Sequence, residues 1–138
     1  DLSSRRFDFA HTDELVKMLA HGWTIELHGH AHRYPAGQPA ELAADLDACR
    51  REIRNAGLPA ASHYCYPSGN HDADAHRLLK GLGVVSATTC LPGLVDRADD
   101  ERMFYLPRFL DGESIHALEF EAEMSGFADF FRRFFGRG

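Results

Sequence analysis

The spacing of apolar residues switches back and forth between helical and extended along this chain. That switching restricts the fold more than any other feature. Leu15, Met18 and Leu19 recur at helical intervals behind Thr12, a good N-cap, with Asp13 and Glu14 in the first turn and Gly22 as the stop. Trp23 to Leu27 then reads as a short strand ending at His28. Leu42, Leu46, Cys49 and Ile53 fall at i, i+4, i+7 and i+11, one face of a helix that opens near Pro39 and stops at Gly57 and Pro59. Ser62 to Tyr66 is a second strand. Asp72 caps a third helix, with Ala75, Leu78 and Leu79 inward and Gly81 at its close. Gly83 to Thr88, rich in Val and Thr, is a third strand, and Met103 to Phe109, interrupted by Pro107, a fourth. Short strands alternating with helices predict an α/β fold, with parallel strands joined by helical crossovers.

In such folds ligands collect at the carboxyl ends of the strands. Two segments dense in polar chemistry, His28 to His32 and Tyr66 to Asp72, each follow a strand directly, so both are expected at the same end of the sheet. The tail from Ser114 reads as helix. Its Phe127, Phe130, Phe131, Phe134 and Phe135 stand at i, i+3, i+4, i+7 and i+8, an apolar stripe expected to pack on the domain. The other readings of that stripe are self-association or a membrane-surface contact aided by Arg132, Arg133 and Arg137. Asp96, Arg97, Asp99, Asp100 and Glu101 are a charge run expected on solvated surface.

Composition narrows the class further. The 138 residues suffice for one core, so residues 1–138 are read as a single domain. A net charge of −6 offers no nucleic-acid surface. No apolar run approaches the ~18–20 residues that span a membrane, and the opening Asp1-Leu2-Ser3-Ser4-Arg5 leads into no apolar signal segment, which leaves localisation undecided. The three cysteines, Cys49, Cys65 and Cys90, form no C-x-x-C pair, which argues against a disulfide framework and a thiolate zinc finger. Any metal must be held by imidazole and carboxylate, and nine His are a rich supply for this length.

Three of those His lie within five residues: His28, His30 and His32. One helical turn after the strand would put His28 and His32 on one face, with backbones ~6 Å apart. Two nitrogens can then converge on one ion at ~2.0–2.1 Å, while His30 points elsewhere. Two His are half a site, because a catalytic zinc usually has three protein ligands and an open water position. No Asp directly follows a strand ahead of His28. In the second segment, Pro67-Ser68-Gly69 makes a tight turn whose amides can hold an oxyanion, and Tyr66 offers an aromatic face for a sugar ring.

These residues together resemble the polysaccharide deacetylases, the NodB-homology carbohydrate esterases. The matching runs are Gly22-Trp23-Thr24-Ile25 leading to His28 and His32, then Tyr66-Pro67-Ser68-Gly69, then Gly83-Val84-Val85-Ser86-Ala87-Thr88-Thr89, then Leu106-Pro107-Arg108-Phe109. The resemblance covers about Thr12 to Leu110. It implies a metal-dependent hydrolase that removes N-acetyl groups from an amino-sugar polysaccharide or glycan, with a divalent metal, typically zinc. His28 and His32 would be metal ligands. Tyr66 and Pro67 would line the substrate groove, with Ser68 and Gly69 in the oxyanion turn.

The chain departs from the family pattern in several places. Gly29 stands where a loop-bracing Ser or Thr is usual, and Cys65 where stricter members carry an Arg that braces the base. Arg108 is the candidate to reach in instead. No Leu-x-His follows, so the catalytic acid is unassigned, with His71 and His116 as weak candidates. The family's Asp-Asp pair is missing and is expected on a strand ahead of Asp1. The expectation is therefore the later part of a distorted (β/α) barrel, truncated at its N-terminus, marginal in stability and nearly inactive alone. Two other readings compete. Gly29-His30-Ala31-His32 and Gly69-Asn70-His71-Asp72 match metallophosphoesterase motifs, but in reversed order. A non-catalytic carbohydrate-binding domain with a degraded site is the third reading.

Overall fold

The structure is a computed structural model that describes residues 10–95, 99–110, 112 and 114–136. Asp96 and Arg97 of the charge run lie outside these, whereas Asp99, Asp100 and Glu101 are exposed as expected. Helix α1, Thr12–Ala20, begins one residue earlier in its cap than Thr12: His11 is the N-cap, and its amide donates to the Glu14 carboxylate at 2.8 Å. Gly22 closes this helix in the left-handed region, φ +86. Helix α2, Pro39–Asn55, opens on its proline as expected and buries Leu42 and Leu46.

Strand β1, His63–Cys65, pairs in parallel with β2, Ser86–Thr88, in the register His63↔Ser86, Tyr64↔Ala87 and Cys65↔Thr88. Helix α3, Ala75–Gly81, is the crossover between them and buries Ala75 and Leu79. Its N-cap is Asp74, not Asp72. The expected first and fourth strands shrink to single parallel bridges, Leu27↔Tyr64 and Thr88↔Leu106. Side chains explain both. The Glu26 carboxylate accepts from the amides of Ser62 and His63 at 2.9 Å each, so these donors are bound by a side chain and not by strand backbone. Pro107 has no amide to extend the ladder past Leu106, and Arg102–Phe104 winds into a 3-10 turn just before it.

Four parallel segments therefore lie in chain order: Leu27, β1, β2, Leu106. Beneath them sits a core of Leu27, Leu42, Leu46, Tyr64, Tyr66, Leu79 and Phe104 with smaller neighbours. Each fully buried leucine contributes about 1.5–3 kcal/mol. The chain is α/β with parallel strands and helical crossovers.

The tail is two helices, α4, Ala117–Met124, and α5, Phe127–Phe135. Gly126, at φ +81, ends the first and turns the chain. Arg132 clamps Glu123 with two bonds of 2.6 and 2.8 Å, tying α5 back to α4. The phenylalanine stripe does not pack on the domain. Phe127, Phe130, Phe131, Phe134 and Phe135 are 45–70% exposed and touch mainly one another. Among the described residues, no helix is long and apolar enough to cross a membrane.

Candidate active site

Each of the four parallel segments delivers polar groups at its carboxyl end: His28 to His32, the Pro67–Gly69 turn, Thr89 with Cys90, and Arg108. The chain order of the segments sets the order of the site.

His28 follows Leu27, the last residue held by the sheet, whose amide donates to His63 at 2.9 Å. The Nδ1 of His28 lies 2.7 Å from the Cys65 carbonyl. A carbonyl only accepts, so Nδ1 is the donor, and in the neutral ring the lone pair is on Nε2. The His32 ring stands edge to face with that of His28, centroids 4.8 Å apart at 73°. The two predicted ligands are thus brought together. The route is not the helical turn expected: Gly29 and His32 both take left-handed backbone, φ +77 and +51. His30 is exposed.

Imidazole nitrogens are ordinary zinc donors, and with Nδ1 bonded to the Cys65 carbonyl the Nε2 of His28 is the nitrogen that would face an ion; two such rings would supply half of a zinc site. Among the described residues, no group of three or more His, Cys, Asp or Glu is placed to hold a metal ion.

Asp45, on α2, was not singled out in the sequence. Its Oδ2 accepts from the His30 amide at 2.9 Å and its Oδ1 from the Ala31 amide at 2.8 Å. A Cβ on Gly29 would stand 2.9 Å from Asp45 Oδ2. The only sequence hint was its place one residue before Leu46 on the inward side of α2.

The Pro67–Gly69 turn is a 3-10 turn with Ser68 at φ +55. The amides of Gly69 and Asn70 donate within it, to Tyr66 at 2.9 Å and Pro67 at 3.1 Å. Gly69 is obligatory, because a Cβ there would stand 2.9 Å from Cys90 Cβ and 3.2 Å from its amide nitrogen. Tyr66 and Pro67 do not line a groove. Tyr66 is fully buried at 0% exposure, its hydroxyl donating to the Phe104 carbonyl at 3.0 Å, and Pro67 is buried beside it. Burial pushes the Tyr66 hydroxyl pKa well above its ordinary value. Its large ring fills the space under the sheet end, and the ring above it is Tyr105, stacked at 6.4 Å and 13°.

Tyr105, His71, Thr89 and Leu91 line a cavity of about 430 Å³ whose far wall is Asp129 and Arg133 of α5. Among the described residues, Arg108 pairs with no carboxylate. Its Nη2 donates at 3.4 Å to the Sγ of Cys90, the residue that packs against Gly69.

Asp72 is a strap more than a cap. Its carboxylate accepts from the Tyr34 hydroxyl at 3.0 Å, the Gly37 amide at 2.9 Å and the Asp74 amide at 3.1 Å. Burial raises the carboxyl's pKa, but the Gly37, Tyr34 and Asp74 bonds outweigh it and hold the group below its usual range. His71 Nδ1 is bonded to the Gly69 carbonyl at 2.9 Å. Asp72 is therefore bound up in the fold, which counts against the phosphoesterase reading of Gly69-Asn70-His71-Asp72.

No curated protein matches the sequence. A solved de-N-acetylase from Aggregatibacter actinomycetemcomitans is similar in fold, with a TM-score of 0.62 at 13% identity. The match covers 83% of this chain and 53% of that one, so the chain spans about half the length of that structure. The family model for polysaccharide deacetylase matches residues 5–87, a stretch that holds both paired histidines and the Pro67–Gly69 turn. By that match, which takes in more than half of its length, the chain belongs to the polysaccharide deacetylase family.

Proposed function

We propose that this chain carries part of a metal-dependent site that removes N-acetyl groups from an amino-sugar polysaccharide or glycan. The bond broken is a carbon–nitrogen amide bond other than a peptide bond. The supporting observation is the edge-to-face pair His28 and His32, with His28 Nδ1 bonded to the Cys65 carbonyl. His28 and His32 would hold a divalent ion, zinc by their donor type. When bound, such an ion supplies a Lewis acid and an activated water.

Around that pair the chain's own groups take separate roles. Gly69 and Asn70 use their amides inside the turn, so the oxyanion role narrows to the amide of Ser68, which is exposed. Tyr105 and His71 replace Tyr66 as the rings that face the sugar, beside the cavity they line. Arg108 acts through Cys90 and Gly69 as a positioning residue. Among the described residues two imidazoles stand against the three protein ligands usual at catalytic zinc, so the pair by itself should bind metal weakly and support slow turnover.

The phenylalanine face of α5 serves self-association. Its five rings leave roughly 600 Å² open, at ~200 Å² per side chain. That is of the order of the ~800 Å² per partner of a standard interface.

The test is acetate release from N-acetylglucosamine oligomers, measured on this chain with and without added Zn²⁺ or Co²⁺. Phosphodiester hydrolysis without acetate overturns the reading. Sugar binding with neither activity assigns a non-catalytic carbohydrate-binding domain.

A further inference from the structure

The loop that carries the paired histidines has almost no backbone support of its own. Its last sheet bond is at Leu27, and within the loop only the His32 amide reaches back, to the Gly29 carbonyl at 3.5 Å. Two residues in it hold left-handed backbone, and one of them, His32, is not glycine. A side chain in that region costs about 1–2 kcal/mol, so something outside the loop must hold it.

Besides the His28 Nδ1 bond to the Cys65 carbonyl, what grips the loop between the two histidines is one carboxylate. Asp45 accepts from two successive amides, His30 and Ala31, one to each oxygen. Bonds to an ionised acceptor are roughly twice as strong as neutral ones, and a two-pronged contact fixes orientation as well as distance. Asp45 sits on the same helix as buried Leu42 and Leu46, so its base is anchored in the core. Gly29 completes the arrangement. With a Cβ only 2.9 Å from Asp45 Oδ2, a side chain at 29 and the carboxylate at 45 exclude each other.

We infer that Asp45 is the positioning residue of the His28–His32 pair, clamping the turn between the two imidazoles without itself binding the ion. The inference rests on the reading of His28 and His32 as ligands. Groups behind metal ligands typically change affinity 10–100-fold when removed, and Asp45 belongs to that class.

The experiment titrates Co²⁺ alone into the wild-type chain, D45N and D45A, with hydrogen exchange of the His30 and Ala31 amides and urea midpoints measured on the same samples. Expected are Co²⁺ binding about 10–100-fold weaker in D45A, with D45N between it and wild type, and faster exchange at both amides. D45N preserves shape and one good acceptor, so it keeps the test valid if D45A folds poorly. Equal Co²⁺ affinity in all folded variants, with only the urea midpoint lowered, reduces Asp45 to a structural residue and overturns the inference. No Co²⁺ binding by wild type overturns the ligand reading itself, and the inference with it.

Discussion

The imidazole of His28 and the backbone carbonyl of Cys65 stand 2.7 Å apart, Nδ1 to oxygen, although 37 residues separate them. The bond joins the histidine loop to β1 and leaves Nε2 as the nitrogen that can meet a metal. The chain should therefore bind about one Zn²⁺ or Co²⁺ per molecule. His28→Ala and His32→Ala should each weaken binding roughly a hundredfold or more, beyond what loss of a supporting group causes. Elemental analysis and calorimetry check this; metal content unchanged in the double variant removes the assignment.

Asp72 predicts a pH-dependent stability. Its folded pKa lies below the ordinary value because the Gly37, Tyr34 and Asp74 bonds outweigh burial. A depressed carboxylate stabilises the fold above its unfolded pKa of ~3.9, and that contribution disappears as pH falls through the folded pKa. Asp72→Ala should cost about 2 kcal/mol at pH 7 through the hydrogen bonds lost. The difference between wild type and variant should shrink as pH drops from ~5 toward 2. Urea midpoints across that range test it, and a difference that stays constant contradicts it.

Gly69 and Gly37 separate two costs of adding a methyl group. Both hold left-handed backbone, φ +71 and +69, but a Cβ at 37 meets nothing within 4 Å, whereas one at 69 collides with Cys90. Gly37→Ala should cost about 1–2 kcal/mol from backbone alone. Gly69→Ala should add about 1–3 kcal/mol of overpacking. Denaturant unfolding of the two variants measures the gap; equal costs would mean that Cys90 yields freely.

Phe131 lies amid the α5 stripe, with Phe127 at 4.9 Å and Phe135 at 5.0 Å between ring centroids. Phe131→Glu puts a charge into that face. Sedimentation at rising concentration should show wild type associating and the variant monomeric, with unchanged circular dichroism. A wild type that stays monomeric but binds anionic vesicles would assign the face to lipid instead.

Periodicity made much of this molecule legible. Leu42 and Leu46 face inward from a helix that starts at Pro39, and Ala75 and Leu79 do the same from α3. The loops after the strands were where the chemistry had to be, and His28 meets His32 there. Less legible were features that depend on a partner distant in sequence. Tyr66 looked like a sugar platform because an aromatic after a strand often is one, yet its ring lies under Tyr105. Asp45 looked like one more acid on a helix, and only folding sets it against the amides of His30 and Ala31.

The sequence by itself determined the α/β class, the parallel crossovers and the end of the sheet where polar groups gather, because hydrophobic period and chain order are local properties. Tertiary structure alone decided which backbone groups pair, which rings are covered and what holds the histidine loop. Glu26 and Pro107 shorten two strands to single bridges, Asp45 and Asp72 strap two loops, and the phenylalanine face of α5 stays open. Each of those outcomes depends on what stands opposite a residue in space, and spacing along the chain carries no record of that.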